Sequence, residues 1–527
     1  MVFGFWCLVF GFGNAIFVLR ILKTKPTYLI FGGTIALLLA YTTARACLLS
    51  MTHDESSTYL NYIDMNIWQC FHSPKCWGTA NLHWLNTLVM QLTVKLFGVS
   101  EFAIRLPNLL THFVYLVFSC LLLLEMKRSF WVTYAAFLML NLSPYLLDFF
   151  SLARGYGMIC GWVMMSLYFL WKYIDTRKNK FAIGTFAGAF LAVMSNFVAL
   201  NYLMALTGVF YLWLIYLLFF KEEKTARAYP NPKGCPSHND TKKSLPLGNK
   251  RLWVHALTPL PFLVALAILL YRPIQFLSSG GEFKYGSSSL YQSLQTMVRD
   301  YLQSKADAYF GKSTITIFAC VAIALVLVAA TRATRQFIRK PQDTRTTFLL
   351  VTVLILLSVI LIQKVQFHVM GTNYLIMRTA LMLVPLGLLP VALCFLLWEN
   401  IWASRLVLAI GIFSVLHLLP HINYTHSREW WYDIHTKRMA LYVEKLNVEK
   451  PIKLGVHWTY EPTTMFYWKT GQLNAIDELL YNKNIRTDDY FDYYYVPLGD
   501  TAKLHPSYVV EKQFGYGEFL FRRKDLN

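Results

Sequence analysis

Long apolar runs broken by short polar stretches dominate this chain. The runs are Val2–Leu19, Tyr28–Leu49, Ala103–Met126, Phe130–Leu147, Gly155–Ile174, Phe181–Ala199, Tyr202–Phe220, Trp253–Tyr271, Ser313–Ala330, Phe348–Ile362, Ala380–Trp398 and Ser404–Pro420. They approach or exceed the ~18–20 residues a helix needs to cross a bilayer. They are continuous and do not alternate, so they predict helices and not barrel strands. The pattern predicts a polytopic α-helical membrane protein with about twelve transmembrane helices. Val2–Leu19 lacks a charged leading segment and a small-residue cleavage site, which predicts a retained helix.

The polar stretches set an orientation. Arg20, Lys23 and Lys25 form one basic loop; Lys127 and Arg128 the next; then Arg177, Lys178 and Lys180. A long loop carries Lys242, Lys243, Lys250 and Arg251, and another carries Arg332, Arg335, Arg339, Lys340 and Arg345. With alternating spans all five share one side, which the positive-inside rule makes cytoplasmic. The other side receives the loop at Asp54, the turn Asp148–Arg154, the Gly/Ser-rich stretch Arg272–Lys312, the turn Gln363–Arg378 and everything after Pro420. The expected localisation is multi-pass in the inner (plasma) membrane, with the larger loops extracytoplasmic.

Two shorter stretches keep a helical period without the length of a span. Ser56–Trp68 and Asn81–Phe97 predict helices lying along the membrane surface. After Pro420 the pattern changes again. Trp431–Leu446 predicts a helix, while Ile452–Trp458, Tyr490–Val496 and Glu518–Arg522 predict strands. Residues 1–420 therefore form a membrane domain and 421–527 a small extracytoplasmic (periplasmic) α/β domain.

Composition sharpens this picture. The chain has 527 residues, 56% hydrophobic and 15% charged, where a soluble protein carries roughly a quarter charged residues. The net charge of +20 sits in short loops between spans, which speaks for topology and against nucleic acid as a partner. Most of the nine cysteines lie in apolar runs; Cys70 and Cys76 share one polar loop, where a disulfide is open to them if that loop is extracytoplasmic. No CxxC pair or zinc-ligand spacing occurs.

The candidate chemistry starts where Tyr28–Leu49 ends, at Thr52-His53-Asp54-Glu55. Carboxylates beside a bilayer are costly unless they serve a purpose or stay in water. Three further stretches follow in order: Asn81-Leu82-His83-Trp84-Leu85-Asn86; Phe97-Gly98-Val99-Ser100-Glu101-Phe102-Ala103-Ile104-Arg105-Leu106-Pro107; and Asp148 followed by Ala153-Arg154-Gly155-Tyr156. Together these resemble the GT-C fold glycosyltransferases, which include protein O-mannosyltransferases, the lipid A aminoarabinose transferase and bacterial relatives. The resemblance covers roughly the first two hundred residues in motif and the rest in topology. Many relatives carry a Pro-Pro-Leu-Tyr-like stretch where this chain has His83-Trp84-Leu85-Asn86, and the span Val2–Leu19 precedes their usual start.

The resemblance implies a sugar donor carried on a polyprenyl phosphate and an acceptor hydroxyl on a glycan, lipid or protein. It implies Asp54 as the base that takes the hydroxyl proton, and Glu55 as a helper that orients it or binds acceptor. Direct displacement inverts the anomeric carbon. The leaving phosphate needs cations or donors, for which Arg105, Arg154, Arg272 and Arg378 are candidates, with Asp148, Tyr156 and His83 beside them. Arginines can hold a single phosphate, so no cofactor is required; a divalent metal is allowed but not demanded.

Plainer roles stand beside these. Asp148 and Arg154 can be an ion pair holding their turn, Arg105 can pair with Glu101 at i,i+4, and Arg45 can snorkel as a membrane anchor. Ser278–Gly281 and Gly286–Ser289 suit either a lid over the donor or an ordinary mobile loop. Two other functions compete with the enzyme: a transporter or flippase of a lipid-linked saccharide, and a non-catalytic subunit of a glycan assembly complex. The spans are nearly free of ionisable residues, which disfavours transport.

Overall fold

The computed structural model describes residues 26–66, 82–228, 249–302, 311–446, 451–482, 485, 488–515 and 517–526. Val2–Leu19, the first basic loop and the Cys70–Cys76 pair lie outside them. The other eleven expected spans are all helical. Among the described residues nine helices are long and apolar enough to cross a membrane, or ten if the Phe130–Asn141 and Pro144–Phe150 pair, bent by 63°, counts as one span. Pro144 causes that bend: it lacks the N–H that would continue the first helix, and Ser143 caps the second. The expected span Phe181–Ala199 is the 17-residue helix Asn179–Ser195 plus a single 3-10 turn, Phe197–Ala199. It packs antiparallel along Gly155–Thr176, where a Cβ on Gly155 would come within 2.0 Å of the Ser195 carbonyl oxygen.

Large apolar side chains stay exposed along the bundle, among them Leu29, Leu37, Ile268 and Ile317. These faces suit hydrocarbon and would be unfavourable in water. Polar side chains pair at the two ends. At one end Lys172 meets Glu125 at 2.6 Å, Arg128 donates to Ser404, and Thr344 donates to Asp175. The basic stretches 127–128, 177–180 and 332–345 therefore share one end, as the alternation of spans requires. Asp54, Arg154, Arg378 and the chain after residue 420 gather at the other.

The two shorter stretches are helical over His53–Tyr62 and Trp84–Phe97 among the described residues. The Gly/Ser-rich stretch departs from its expected loop character. The preceding helix continues to Ser279, Leu290–Leu302 is a further helix, and Ser287 exchanges two backbone hydrogen bonds with Tyr374. Ser293 also donates to the Leu375 carbonyl. The described part of this stretch is thus tied to the 371–376 turn.

The C-terminal part is a five-stranded mixed sheet, β1 (Ile452–His457), β2 (Ile476–Asn482), β3 (Tyr493–Pro497), β4 (Tyr508–Phe514) and β5 (Glu518–Arg523), in the order β2-β1-β3-β5-β4. The first three are parallel; β5 and β4 add antiparallel. Helices Thr436–Glu444 and Glu461–Lys469 cover one face. Helix Glu461–Lys469 also packs on His53–Tyr62, with Phe466 edge-on to Tyr59 at 5.1 Å, so the domain is seated on the helix that carries Asp54.

Candidate active site

The Thr-His-Asp-Glu stretch is a helix start. Thr52 accepts the Glu55 N–H at 3.3 Å and Glu55 accepts the Thr52 N–H at 3.1 Å, a reciprocal cap. Asp54 and Glu55 fall in the first turn, where the helix end favours negative charge. They then diverge. Glu55 points inward and is completely buried. It takes Arg105 in a two-pronged pair at 2.9 and 2.7 Å and the Ala153 N–H at 2.5 Å. Burial alone would raise its pKa, but Arg105 and these hydrogen bonds outweigh burial and hold it below the usual glutamate value. Glu55 is thus closed off from an acceptor; orienting the turn is the role left to it.

Arg105 is a correction. Beyond Glu55 it donates to the carbonyls of Ala46, Leu49 and Ser50, so all five of its N–H groups are used and it is fully buried. It closes the carboxyl end of helix Pro26–Leu48 and has no donor left for a phosphate. It does not pair with Glu101, which binds Lys437 at 2.6 Å. The rest of the Arg-Leu-Pro motif is structural too. Pro107 has no N–H for the Ala103 carbonyl, which accepts Thr93 Oγ1 at 2.6 Å instead. Asn86 likewise links Asn108 to the Ala153 carbonyl.

The expected Asp148–Arg154 pair is also corrected. Asp148 pairs with Arg45 and accepts the Arg428 N–H at 2.9 Å. Arg45 is therefore no snorkelling anchor: it is 1% exposed and also donates to the Asn423 and His426 carbonyls. Arg154 reaches Asp54, with Nη2 3.3 Å from Oδ2 and Nη1 donating to the Asp54 carbonyl at 3.3 Å and to Thr58 at 3.0 Å. Being fully buried, Arg154 is placed to position Asp54.

Arg378 is the second guanidinium at Asp54, with Nη2 3.8 Å from Oδ2. Its side chain is 23% exposed. Glu429 fixes it through Nη1 at 2.6 Å and through the Arg378 N–H at 3.0 Å, and Tyr285 and Trp430 present their rings to it at 5.4 Å. Tyr156 is close enough to interact electrostatically with it. Asp54 Oδ2 and Arg378 Nε take no hydrogen bond among the described residues.

His83 lies behind Tyr156, ring to ring at 5.0 Å, and its Nδ1 meets the Ser195 carbonyl and Asn196. It is fully buried; burial and the Arg154 charge push its pKa well down, so it is a neutral interior group. Arg272 stands on an exposed stretch of helix Leu260–Ser279, and no hydrogen bond or ion pair among the described residues joins it to Asp54.

A group of residues that sequence reasoning missed comes from one segment, Ser427-Arg428-Glu429-Trp430-Trp431-Tyr432-Asp433. Arg428 binds Asp300 at 2.7 Å, with its guanidinium over the Tyr145 ring, while Tyr145 donates to Glu429. Asp433 accepts the His53 N–H at 2.6 Å, and burial pushes its pKa well up. Tyr432 lies among Asp433, Asp54, Arg378 and Glu429. Charged and aromatic residues packed tightly at a span exit are the same signal that drew attention to Thr52–Glu55. Among the described residues, no group of three or more His, Cys, Asp or Glu side chains is arranged to hold a metal.

No protein-family model matches the chain, and no curated protein matches it. Among solved structures it is similar to the crystal structure of ArnT from Cupriavidus metallidurans in the apo state, with 12% identity, 94% of this chain and 97% of that chain covered, and a TM-score of 0.39. It is also similar to ArnT from Cupriavidus metallidurans bound to undecaprenyl phosphate, with the same identity and coverage and a TM-score of 0.34.

Proposed function

We propose that this chain is a GT-C-type integral membrane glycosyltransferase. It moves a sugar from a polyprenyl-phosphate-linked donor to an acceptor hydroxyl at the extracytoplasmic face. The observation that carries the reading is the placement of Asp54 Oδ2 between two guanidiniums, Arg154 at 3.3 Å and Arg378 at 3.8 Å, at the bundle end opposite the basic loops. A displacement at an anomeric carbon needs a carboxylate to take the hydroxyl proton and positive charge to meet the departing phosphate. Asp54 supplies the first. Arg378, partly exposed and held by Glu429, supplies the second. The proton leaves the acceptor oxygen for Asp54 as that oxygen bonds to C1 and the C1–O–phosphate bond breaks.

Among the described residues, the acids beside Asp54 are engaged by other partners, Asp433 by the His53 N–H. Glu55 is sealed by Arg105, and Glu429 is occupied by Arg378 and Tyr145. That supports single displacement with inversion. Product configuration by NMR tests it: an inverted anomeric centre is expected, and retention would rule the mechanism out.

A further inference from the structure

The carboxyl ends of the parallel strands meet the Asp54 helix. β1 ends at His457, and β3 runs into the turn Leu498–Lys503; His457 Nε2 lies 3.1 Å from Asp500 Oδ2, joining the two ends. In the loop that leaves β1, the Thr459 carbonyl meets His53 Nδ1 at 3.0 Å. A carbonyl only accepts, so Nδ1 donates to it, and Nε2 is the other polar atom of the ring. His53 immediately precedes Asp54, and Asp433 fixes its backbone N–H. Between His53 and His457 stands Trp458, edge-on to the first at 6.2 Å and tilted to the second at 5.8 Å, and 46% exposed.

Open α/β sheets bind their ligands outside the carboxyl ends of their strands. Here that edge carries an exposed indole beside the His53 ring, with Asp500 and Lys503 as a polar fringe. A flat apolar ring with hydrogen-bonding groups around it fits the C–H face and hydroxyl rim of a sugar. We infer that the carboxyl edge of β1 is the acceptor subsite, and that the acceptor is a saccharide whose ring lies on Trp458 with its reacting hydroxyl directed past His53 to Asp54. This rests on the transferase reading and adds the acceptor class to it. A peptide acceptor would need an exposed strand edge or an extended groove, and the β1 end offers a ring platform flanked by polar side chains instead.

The test is saturation-transfer NMR on the full-length protein in detergent, using a panel of methyl hexopyranosides as probes. At least one glycoside is expected to receive saturation at its ring C–H protons. The signal should persist in Asp54→Asn, survive in Trp458→Phe, and fall about 2- to 12-fold in Trp458→Ala, the range set by an aromatic contact of about 0.5–1.5 kcal/mol. Gel filtration of Trp458→Ala and Trp458→Phe verifies that both remain folded. Absence of any glycoside signal in the wild type, equal signal in Trp458→Ala, or saturation of a Ser/Thr-rich peptide in its place would overturn the proposal. Glycoside binding together with full glycan transfer by Asp54→Asn would refute the base assignment alone and leave the subsite standing.

Discussion

Arg105 and Glu55 form a closed pair: the guanidinium gives two N–H groups to the carboxylate at 2.9 and 2.7 Å and its other three to the carbonyls of Ala46, Leu49 and Ser50. An arginine that reads as a phosphate ligand in sequence is thus the brace of the turn that carries Asp54. The pair joins the end of one span, the first turn of the Asp54 helix and Ala153 in a single fully buried unit.

Removing one member of that unit should destabilise the protein more than it alters chemistry. Arg105→Lys brings three donors where five are used, and Glu55→Ala leaves a buried guanidinium unpaired; each should cost about 3–5 kcal/mol. Thermal unfolding in detergent should show lower Tm for both. An unchanged Tm with lost donor binding in Arg105→Lys would instead return Arg105 to the phosphate site.

The exchange of partners between Arg45, Asp148, Arg154 and Asp54 is testable by double-mutant cycles. Arg45→Met with Asp148→Asn should show a coupling in stability of about 0.5–3 kcal/mol, because the two side chains are in contact. Arg154→Met with Asp148→Asn should be additive within roughly 0.5 kcal/mol. The reverse pattern would mean that the short turn holds its own ion pair.

Arg378 is partly exposed where Arg154 is fully buried, so its loss should appear in donor binding. A charge-assisted hydrogen bond contributes about 1.5–3 kcal/mol, and Arg378→Ala should therefore raise the donor KM about 10- to 150-fold. Glu429→Gln should act in the same direction and more weakly, since it orients Arg378 without facing the phosphate. Equal KM values in Arg378→Ala and wild type would exclude the assignment.

The C-terminal domain should be more stable in mild acid than at alkaline pH. Burial raises the Glu518 pKa from 4.5 to about 7, and the Gly517 and Glu518 backbone hydrogen bonds offset this only in part. Its charged form is disfavoured in the folded state, so stability falls as pH rises from about 4.5 and levels off above about 7. Glu518→Gln should flatten that window in unfolding experiments from pH 4.5 to 8. An unchanged slope in the variant would assign the dependence to other groups.

Much of the architecture was legible because hydrophobic length and period are local signals. The described apolar runs became helices, the basic stretches 127–128, 177–180 and 332–345 gathered at one end, and the alternation at Ile452–Trp458 became β1. Helix Glu461–Lys469 and strands Ile476–Asn482 and Tyr508–Phe514 were missed because short, mixed-polarity elements carry little periodicity. Partner choice was the least legible part. Arg154 sits six residues from Asp148 in sequence, yet it turns to Asp54, 100 residues away, while Asp148 takes Arg45. Such pairings depend on which span ends converge, and a linear reading shows only that the charges are at the same side. Glu429 and Asp433 escaped for the same reason: their partners, Arg378 and His53, come from distant parts of the chain.

The most direct test of the central claim is the fate of lipid-linked sugar when Asp54 alone is changed. Mass spectrometry would compare polyprenyl-phosphate sugars and extracytoplasmic glycans in cells lacking the gene, complemented with wild type or with Asp54→Asn at equal membrane levels. Loss of a general base costs about 10²- to 10⁴-fold. Asp54→Asn should accumulate the donor and lack the same glycan as the deletion, with wild type restoring both. A complete glycan profile from Asp54→Asn would contradict the account.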